Sequence, residues 1–377
     1  MRRRVLIGMS GGADSSAACS LLKEQGYDVV GLTIRNFDID AQFISMNNSV
    51  VFDEPNHVRE ARKVAKSIGI EHFVADEREM FGSKVVDPFI QGYLSGKTPN
   101  PCVTCNPLFK FKVLERWAAS LNCEFIATGH YARIVDQDGW RFIKAGADKR
   151  KDQSYFLWNL DQGVLAKTLF PLGDMHKKEV YEYLGNNGLD FFQHSAESME
   201  ICFVENDYRE LIRERVKDVD KLIGPGKYVD ITGKIIGEHR GYPYYTIGQR
   251  KGLGVALGKP VFVLKINSEK NTVMLGDQDQ LLSTDLLVEN ARFRYQGEKL
   301  IKWLDQMNIK VKIRYRSLGI ECRIVSEFAD GRILISFCAP AFAVTPGQSA
   351  VFYSDDLVVG GAEISSQKNL YKYMNAQ

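Results

Sequence analysis

Val5-Leu6-Ile7-Gly8-Met9-Ser10-Gly11-Gly12-Ala13-Asp14-Ser15-Ser16 is the stretch whose reading decides the fold. Its apolar, β-prone start ends in a Gly/Ser-rich turn. The turn opens into the helical pattern Ser16-Ala17-Ala18-Cys19-Ser20-Leu21-Leu22. Strand, glycine turn and helix together present backbone N–H groups and a helix N-terminus to a phosphate. The turn has no lysine where a Walker A loop carries one, so that reading fails. It also lacks GxGxxG, which leaves the dinucleotide reading weak.

Outward from this loop, strand and helix patterns alternate from residue 4 to about 195. Val29-Val30-Gly31-Leu32-Thr33-Ile34 reads as a second strand, after a helix that Gly26 can end. Val58, Ala61, Val64, Ala65 and Ile68 fall at helical spacing and Gly69 closes that helix. His72-Phe73-Val74-Ala75 reads as a third strand. Phe109, Val113, Leu114, Trp117 and Leu121 line a further helix, and Glu124-Phe125-Ile126-Ala127-Thr128 a strand running into Gly129-His130. The alternation predicts an α/β fold, a doubly wound parallel sheet with helices on both faces. Ligands then bind beyond the C-terminal strand ends, where Gly8, Ile34 and Gly129 lie.

After about 205 the texture changes. Gly224-Pro225-Gly226, Gly233, Gly237, Gly241 and Gly252-Leu253-Gly254 punctuate short β segments. From about 283 the chain reads as strands, including 310–316, 332–337 and 350–353. On 310–316 basic and apolar residues alternate, which puts the charges on one face. A small β-barrel is the expected closure. The boundaries read as 1–204 for a nucleotide-binding domain, 205–282 for a small central domain and 283–377 for the barrel.

Of 377 residues, 45% are hydrophobic and 25% charged, the composition of a soluble globular protein. No apolar stretch approaches the ~20 residues of a membrane span, and no targeting signal is read. A net charge of +2 asks for local basic patches if a nucleic acid is bound. Seven cysteines without a secretory signal favour a reducing, cytoplasmic compartment.

Two cysteines sit in Asn100-Pro101-Cys102-Val103-Thr104-Cys105-Asn106. A CxxC can be a redox pair, half a zinc site or chance. No second CxxC or close Cys/His pair exists, so no metal site is expected. Pro99 and Pro101 are expected to hold extended backbone around Cys102, which argues against thioredoxin-type chemistry. Cys202, in Glu200-Ile201-Cys202-Phe203-Val204, has the apolar neighbours of a buried structural cysteine. Cys19, Cys123, Cys322 and Cys338 read as core or strand positions.

The loop Ser10 to Ser15 resembles the pyrophosphate loop SGGxDS of enzymes that split ATP to AMP and pyrophosphate. Further blocks come after it in one order: Gly96-Lys97-Thr98-Pro99-Asn100-Pro101 with Cys105-Asn106, Thr128-Gly129-His130-Tyr131-Ala132-Arg133 and Lys151-Asp152-Gln153-Ser154-Tyr155-Phe156-Leu157. After them come Leu169 to Gly173, Ile201-Cys202-Phe203, Tyr245 to Gly254 and Pro346-Gly347-Gln348. The ordered set covers nearly the whole chain and is similar to the tRNA-specific 2-thiouridylases.

That resemblance implies an ATP-dependent sulfurtransferase acting on the wobble uridine of tRNA, with Mg²⁺ accompanying the nucleotide. ATP would lie on Gly8, Met9, Ser10, Gly11, Gly12, Ala13, Asp14 and Ser15, on the backbone at Ile34 and near Gly129. Cys105 matches the nucleophile and Cys202 the persulfide carrier, with a transient Cys105–Cys202 disulfide and a persulfide donor protein as partner. Asn100, Pro101 and Cys102 would border the target base. His130, Lys151, Asp152, Gln153, Arg314, Tyr315 and Gln348 match positions that contact tRNA.

The chain departs from the family pattern at Cys102, where many members carry Asp; a thiol cannot serve as that carboxylate, and it would compete with Cys105 as disulfide partner or nucleophile. It departs again at Glu200, whose charge beside the sulfur carrier opposes thiolate formation, and at Ala13, where Val is usual. Two rival readings use the same residues. One is an adenylating, amidating enzyme that needs neither Cys105 nor Cys202. The other is a tRNA-binding relative that has lost catalysis.

Overall fold

The computed structural model describes residues 3–37, 43–46, 49–52, 54–137, 139–189, 201–204, 207–294 and 308–366. The chain divides into two compact units. The first comprises residues 1–86, 102–203 and 356–358; the second comprises 87–101, 204–355 and 359–377.

The chain begins with β1 (Arg4–Gly8), α1 (Ala13–Glu24) and β2 (Asp28–Arg35). A short hairpin comes next, β3 (Phe43–Met46) with β4 (Ser49–Phe52), then α2 (Asn56–Ile68), β5 (Glu71–Asp76) and α3 (Arg78–Phe81). After α4 (Asp87–Leu94), which belongs to the second unit, come α5 (Pro101–Cys105), a π-helical turn at Asn106–Lys110 and α6 (Phe111–Ser120). β6 (Phe125–Ala127), β7 (Ala132–Gln137), β8 (Trp140–Ala145), α7 (Gln162–Lys167), β9 (Thr168–Leu169) and α8 (Lys177–Asn186) complete the first unit.

Its sheet has the order β5-β2-β1-β6-β9 with every pairing parallel. Leu6 of β1 stands between Val30 of β2 and Ile126 of β6. A strand covered on both faces must be apolar throughout, and Val5, Leu6 and Ile7 are fully buried. The chain steps from β1 out to β2 and β5, then returns to the other side for β6 and β9. That reversal opens a crevice at the C-terminal ends of β1 and β6, where Gly8 and Thr128 lie. Ala17, Ala18, Cys19 and Leu22 of α1 pack with Val5 and Ile7, with Ala61, Val64 and Ala65 of α2, and with Val180 and Leu184 of α8. The antiparallel β7–β8 pair, which the strand–helix alternation does not foretell, also joins Leu357 and Val358.

In the second unit α9 (Tyr208–Arg215) and α10 (Val219–Leu222) lead into a four-stranded sheet. It contains β10 (Gly226–Val229), β11 (Ile235–His239), β12 (Phe262–Asn267) and β13 (Thr272–Gly276), in the order β11-β10-β13-β12. The barrel comes last, from β14 (Leu282–Phe293), β15 (Ile309–Lys312), β16 (Ile320–Glu327), β17 (Ile333–Phe342), β18 (Ser349–Ser354) and β19 (Leu357–Ile364). Their order is β14-β17-β16-β15-β18-β19, and β14 pairs with β19 to close it. Closure removes exposed edges. Leu286, Val311, Ile335, Phe352 and Val359 fill its interior.

Two local expectations need correction. Cys102 is not in extended backbone, because Pro101 starts a helix rather than preventing one. A proline at the first helical position lacks only an N–H that would go unpaired there anyway. The strand expected over 310–316 ends at Lys312. The Arg314 N–H donates to Ser317 Oγ at 3.2 Å and the Ser317 N–H to the Arg314 carbonyl at 3.1 Å, which folds that end into a turn.

Candidate active site

The glycine turn after β1 is held open by its own hydroxyls. Ser15 Oγ accepts from the Ser10 N–H at 3.1 Å and donates to the Gly12 carbonyl at 3.1 Å, and Ser16 Oγ donates to the same carbonyl at 2.9 Å. Gly11 has φ +72°, and a Cβ there would collide with the His57 carbonyl oxygen, so only glycine fits. Gly129 is required for closeness instead. A Cβ on it would lie 2.9 Å from the Asp14 carbonyl carbon and 2.9 Å from the Ser15 nitrogen. The Gly129 backbone therefore walls the first turn of α1, which brings that expected site residue onto the phosphate loop. Ile34 sits near the end of β2, two residues past Leu32, whose register partner is Gly8.

Asp14 is the acidic residue of that first turn. Its Oδ1 accepts from the Tyr131 hydroxyl at 2.7 Å and from Lys177 Nζ at 2.7 Å. Sequence reasoning singles out neither partner. Tyr131 lies inside the Thr128–Arg133 block. Lys177 carries a weaker signal: it starts α8, and a cation in the first helical turn opposes the helix dipole unless an anion answers it. Among the described residues no cluster of three His, Cys, Asp or Glu side chains is arranged to hold a metal ion by itself. A magnesium ion needs less, since it is commonly held by one or two carboxylates plus substrate phosphates. Asp14, with its side chain 37% exposed beside the loop, fits that role.

Cys102 and Cys105 both lie on α5, and all seven cysteines are free thiols. Cys202 is solvent-exposed at its surface though densely surrounded by protein, and Asn36 Nδ2 lies 3.9 Å from its sulfur. An aromatic chain brings these segments together. The Phe203 ring packs on Phe81 at 5.5 Å, and Phe81 on Phe109 of the π-turn at 5.0 Å. Cys202 is thus not the buried structural cysteine its neighbours suggest; Phe203 beside it takes the core position. Burial pushes Cys105 up to about 12, against the charge of Lys110, with Cys202 and Cys102 adding to the rise. Burial likewise pushes Cys102 up to about 11, and Cys202 adds to it. Cys202 is raised by burial and relieved by Lys110. Lys110 is the cation common to all three. Asn106, beside Cys105, is buried; its Nδ2 donates to the Phe156 carbonyl at 3.0 Å, while its Oδ1 has no partner among the described residues. Glu200 lies outside the described residues.

The residues matched to tRNA contact fall in different settings. His130 is 8% exposed, stacked on Phe111 and hydrogen-bonded through Nδ1 to Thr128 Oγ1 at 2.7 Å. Burial, then the Lys110 charge, holds its imidazole well below the usual range. Asp152 is buried and accepts from the N–H groups of Gly146 and Ser154 and from Ser154 Oγ. Lys151 and Gln153 flank it at intermediate exposure. In the second unit, Arg314 donates to the Ala343 carbonyl and Tyr315 lies in the turn after β15. Gln348 Nε2 donates to the Thr98 carbonyl at 2.7 Å, which sets the Pro346–Gln348 turn against the segment leading to Asn100.

Residues 3–206 match the family described as tRNA methyl transferase HUP domain. Residues 217–277 match its PRC-barrel domain, and 283–364 an aminomethyltransferase beta-barrel domain. The chain is 50% identical over 370 residues to tRNA-specific 2-thiouridylase MnmA 3 of Phocaeicola vulgatus, covering 98% of this chain and 96% of the relative. It is 49% identical to the protein of that name from Bacteroides fragilis, over 98% of this chain and 96% of the relative. It is 41% identical to tRNA-specific 2-thiouridylase MnmA of Carboxydothermus hydrogenoformans, over 97% of this chain and 98% of the relative. The chain belongs to the tRNA-specific 2-thiouridylase family.

Proposed function

We propose that the chain is an ATP-dependent tRNA uridine 2-sulfurtransferase acting at the wobble position. The observation that carries this reading is the joint presence, in one α/β unit, of an SGGxDS loop and a set of thiols sharing Lys110. The loop alone implies only that ATP is split at its α-phosphate. The amidating alternative leaves the thiols without a task, and methyl transfer would leave the ATP loop without one.

The uracil C2 oxygen is a poor leaving group. Its attack on the α-phosphate forms a C2–O–P bond and releases pyrophosphate. The loop N–H groups and Lys177 receive the developing negative charge. Magnesium delivered with the nucleotide, held by Asp14, would supply further charge neutralisation on the phosphates. The terminal sulfur of a Cys202 persulfide then attacks C2, and AMP leaves with the bonding electron pair. Cys105 thiolate attacks the Cys202 sulfur, forming the Cys105–Cys202 disulfide and releasing 2-thiouridine. A persulfide donor protein reloads Cys202 once an external dithiol has reduced the disulfide. Both attacks need thiolates, so the burial that raises Cys105 must be offset when the substrates seat, and Lys110 is the group placed to offset it.

The uridine must leave its stack to reach Asn100, Pro101 and Cys102. His130, buried and neutral, is suited to shape that pocket rather than to bind a phosphate. Lys151, Arg314, Tyr315 and Gln348 would hold the tRNA backbone. The domain boundaries 1–204, 205–282 and 283–377 and a cytoplasmic setting complete the reading. The test is incubation with unmodified tRNA, ATP, Mg²⁺ and a persulfide donor, then nucleoside mass spectrometry. Wild type forms 2-thiouridine, and Cys105→Ser and Cys202→Ser do not. Full activity in both variants, or no product from wild type with any donor, overturns the reading.

A further inference from the structure

Two residues join the phosphate loop to the basic segment 148–153, each with both its side chain and its backbone. The Tyr131 hydroxyl and Lys177 Nζ both donate to Asp14 Oδ1 at 2.7 Å. The Lys177 backbone N–H donates to Asp148 Oδ2 at 3.0 Å, and Asp148 also accepts from the backbone of Arg150 at 3.0 Å and, through its carbonyl, of Lys151 at 3.1 Å. Tyr131 pairs with Gln153 in both directions: its N–H donates to Gln153 Oε1 at 3.0 Å, and the Gln153 N–H to its carbonyl at 2.9 Å. Their side chains thus end on the loop, and their backbones hold the two ends of the 148–153 segment.

We propose that Lys177 and Tyr131 couple nucleotide binding in the phosphate loop to tRNA binding at Lys151–Gln153. The proposal rests on the functional reading above, which assigns ATP to the loop and tRNA to the segment. A ligand shifts a structure only through contacts that differ between states. Here the differing contact is that of Lys177. The Lys177 side chain, only 13% exposed, is paired with Asp14. A polyphosphate in the loop competes with Asp14 for that charge, because the Lys177 ammonium lies within hydrogen-bond reach of the first turn of α1. The Tyr131 hydroxyl, sharing the same carboxylate oxygen, feels the change directly. A polyphosphate gives Lys177, and the segment its backbone carries, a further anchor beyond Asp14, which lowers the ordering cost left for tRNA to meet, so tRNA binds more tightly. The arrangement suits a reaction in which ATP and uridine must be present together.

The experiment measures the affinity of fluorescently labelled unmodified tRNA by anisotropy at one fixed salt concentration. It is run with and without saturating α,β-methylene ATP, which the enzyme cannot cleave between its α- and β-phosphates. Wild type is expected to bind tRNA at least about fivefold more tightly with the nucleotide, and linkage requires the same factor for nucleotide affinity with and without tRNA. Tyr131→Phe, a change of one hydroxyl, and Lys177→Met bring the ratio to near one. Lys177→Arg restores part of it. A merely structural role would lower both affinities and leave their ratio intact. A wild-type ratio of one, or ratios unchanged in both Tyr131→Phe and Lys177→Met, overturns the coupling. A wild-type protein that binds neither ligand instead overturns the functional reading beneath it.

Discussion

Replacing Gly129 by alanine puts a methyl group into the wall of the phosphate loop. The new carbon would stand 2.9 Å from the Asp14 carbonyl carbon, 2.9 Å from the Ser15 nitrogen and 3.0 Å from the Asp14 oxygen. Favourable contacts between carbon atoms begin at about 3.5 Å, so the two backbones must part by about half an ångström. All three obstructing atoms are backbone, so no side chain can swing aside. Nor can α1 retreat freely, because Ala17, Ala18 and Leu22 are packed on the sheet. Overpacking of this kind costs about 1–3 kcal/mol. If the strain falls on the loop, a cost near 2 kcal/mol weakens nucleotide binding by about thirtyfold. If it spreads into the unit, Tm falls by about 2–4 °C for each kcal/mol. Isothermal titration with α,β-methylene ATP and scanning calorimetry separate the two. Gly82→Ala is the control, since a Cβ there meets nothing within 4 Å. A Gly129→Ala protein that binds the nucleotide and unfolds like wild type refutes the close-packing argument.

The thiols give a pH signature. Burial places Cys105 at about 12, so its alkylation by iodoacetamide in the free enzyme climbs steeply from pH 7 to 10 without levelling, and Lys110→Met slows it at every pH; a plateau near pH 8 contradicts this. The same shift sets the sign for stability: an acid harder to ionise when folded contributes its stability below its unfolded pKa of about 8.5 and loses it as pH rises toward 12, so Cys105→Ser flattens the alkaline fall in Tm. Asp152→Ala leaves the Gly146 and Ser154 N–H groups and the Ser154 hydroxyl without their acceptor. At about 1 kcal/mol or more for each stranded donor it lowers Tm by several degrees, and an unchanged Tm contradicts Asp152 as their stabilising acceptor.

The catalytic fold is legible where one physical cause dominates locally. β1 reads as a continuous apolar run because both its faces are covered, and the glycine turn after it admits few conformations. Pro101 misleads because proline has two local meanings, extending the residue before it and starting the helix after it. The residues on its C-terminal side decide between them, and there the chain turns helical through Cys105. Asp152 and His130 have the chemistry of outward-facing contacts, yet each is buried with local partners that satisfy it. Lys177 is the hardest to see, since its partner Asp14 lies 163 positions earlier. Only the parallel sheet, by placing α1 and α8 against one another, makes them neighbours. The same topology explains why the phosphate loop can be read without knowing what answers its acidic residue. A loop that binds phosphate is local chemistry. The lysine and the tyrosine that answer its acidic residue are properties of the fold.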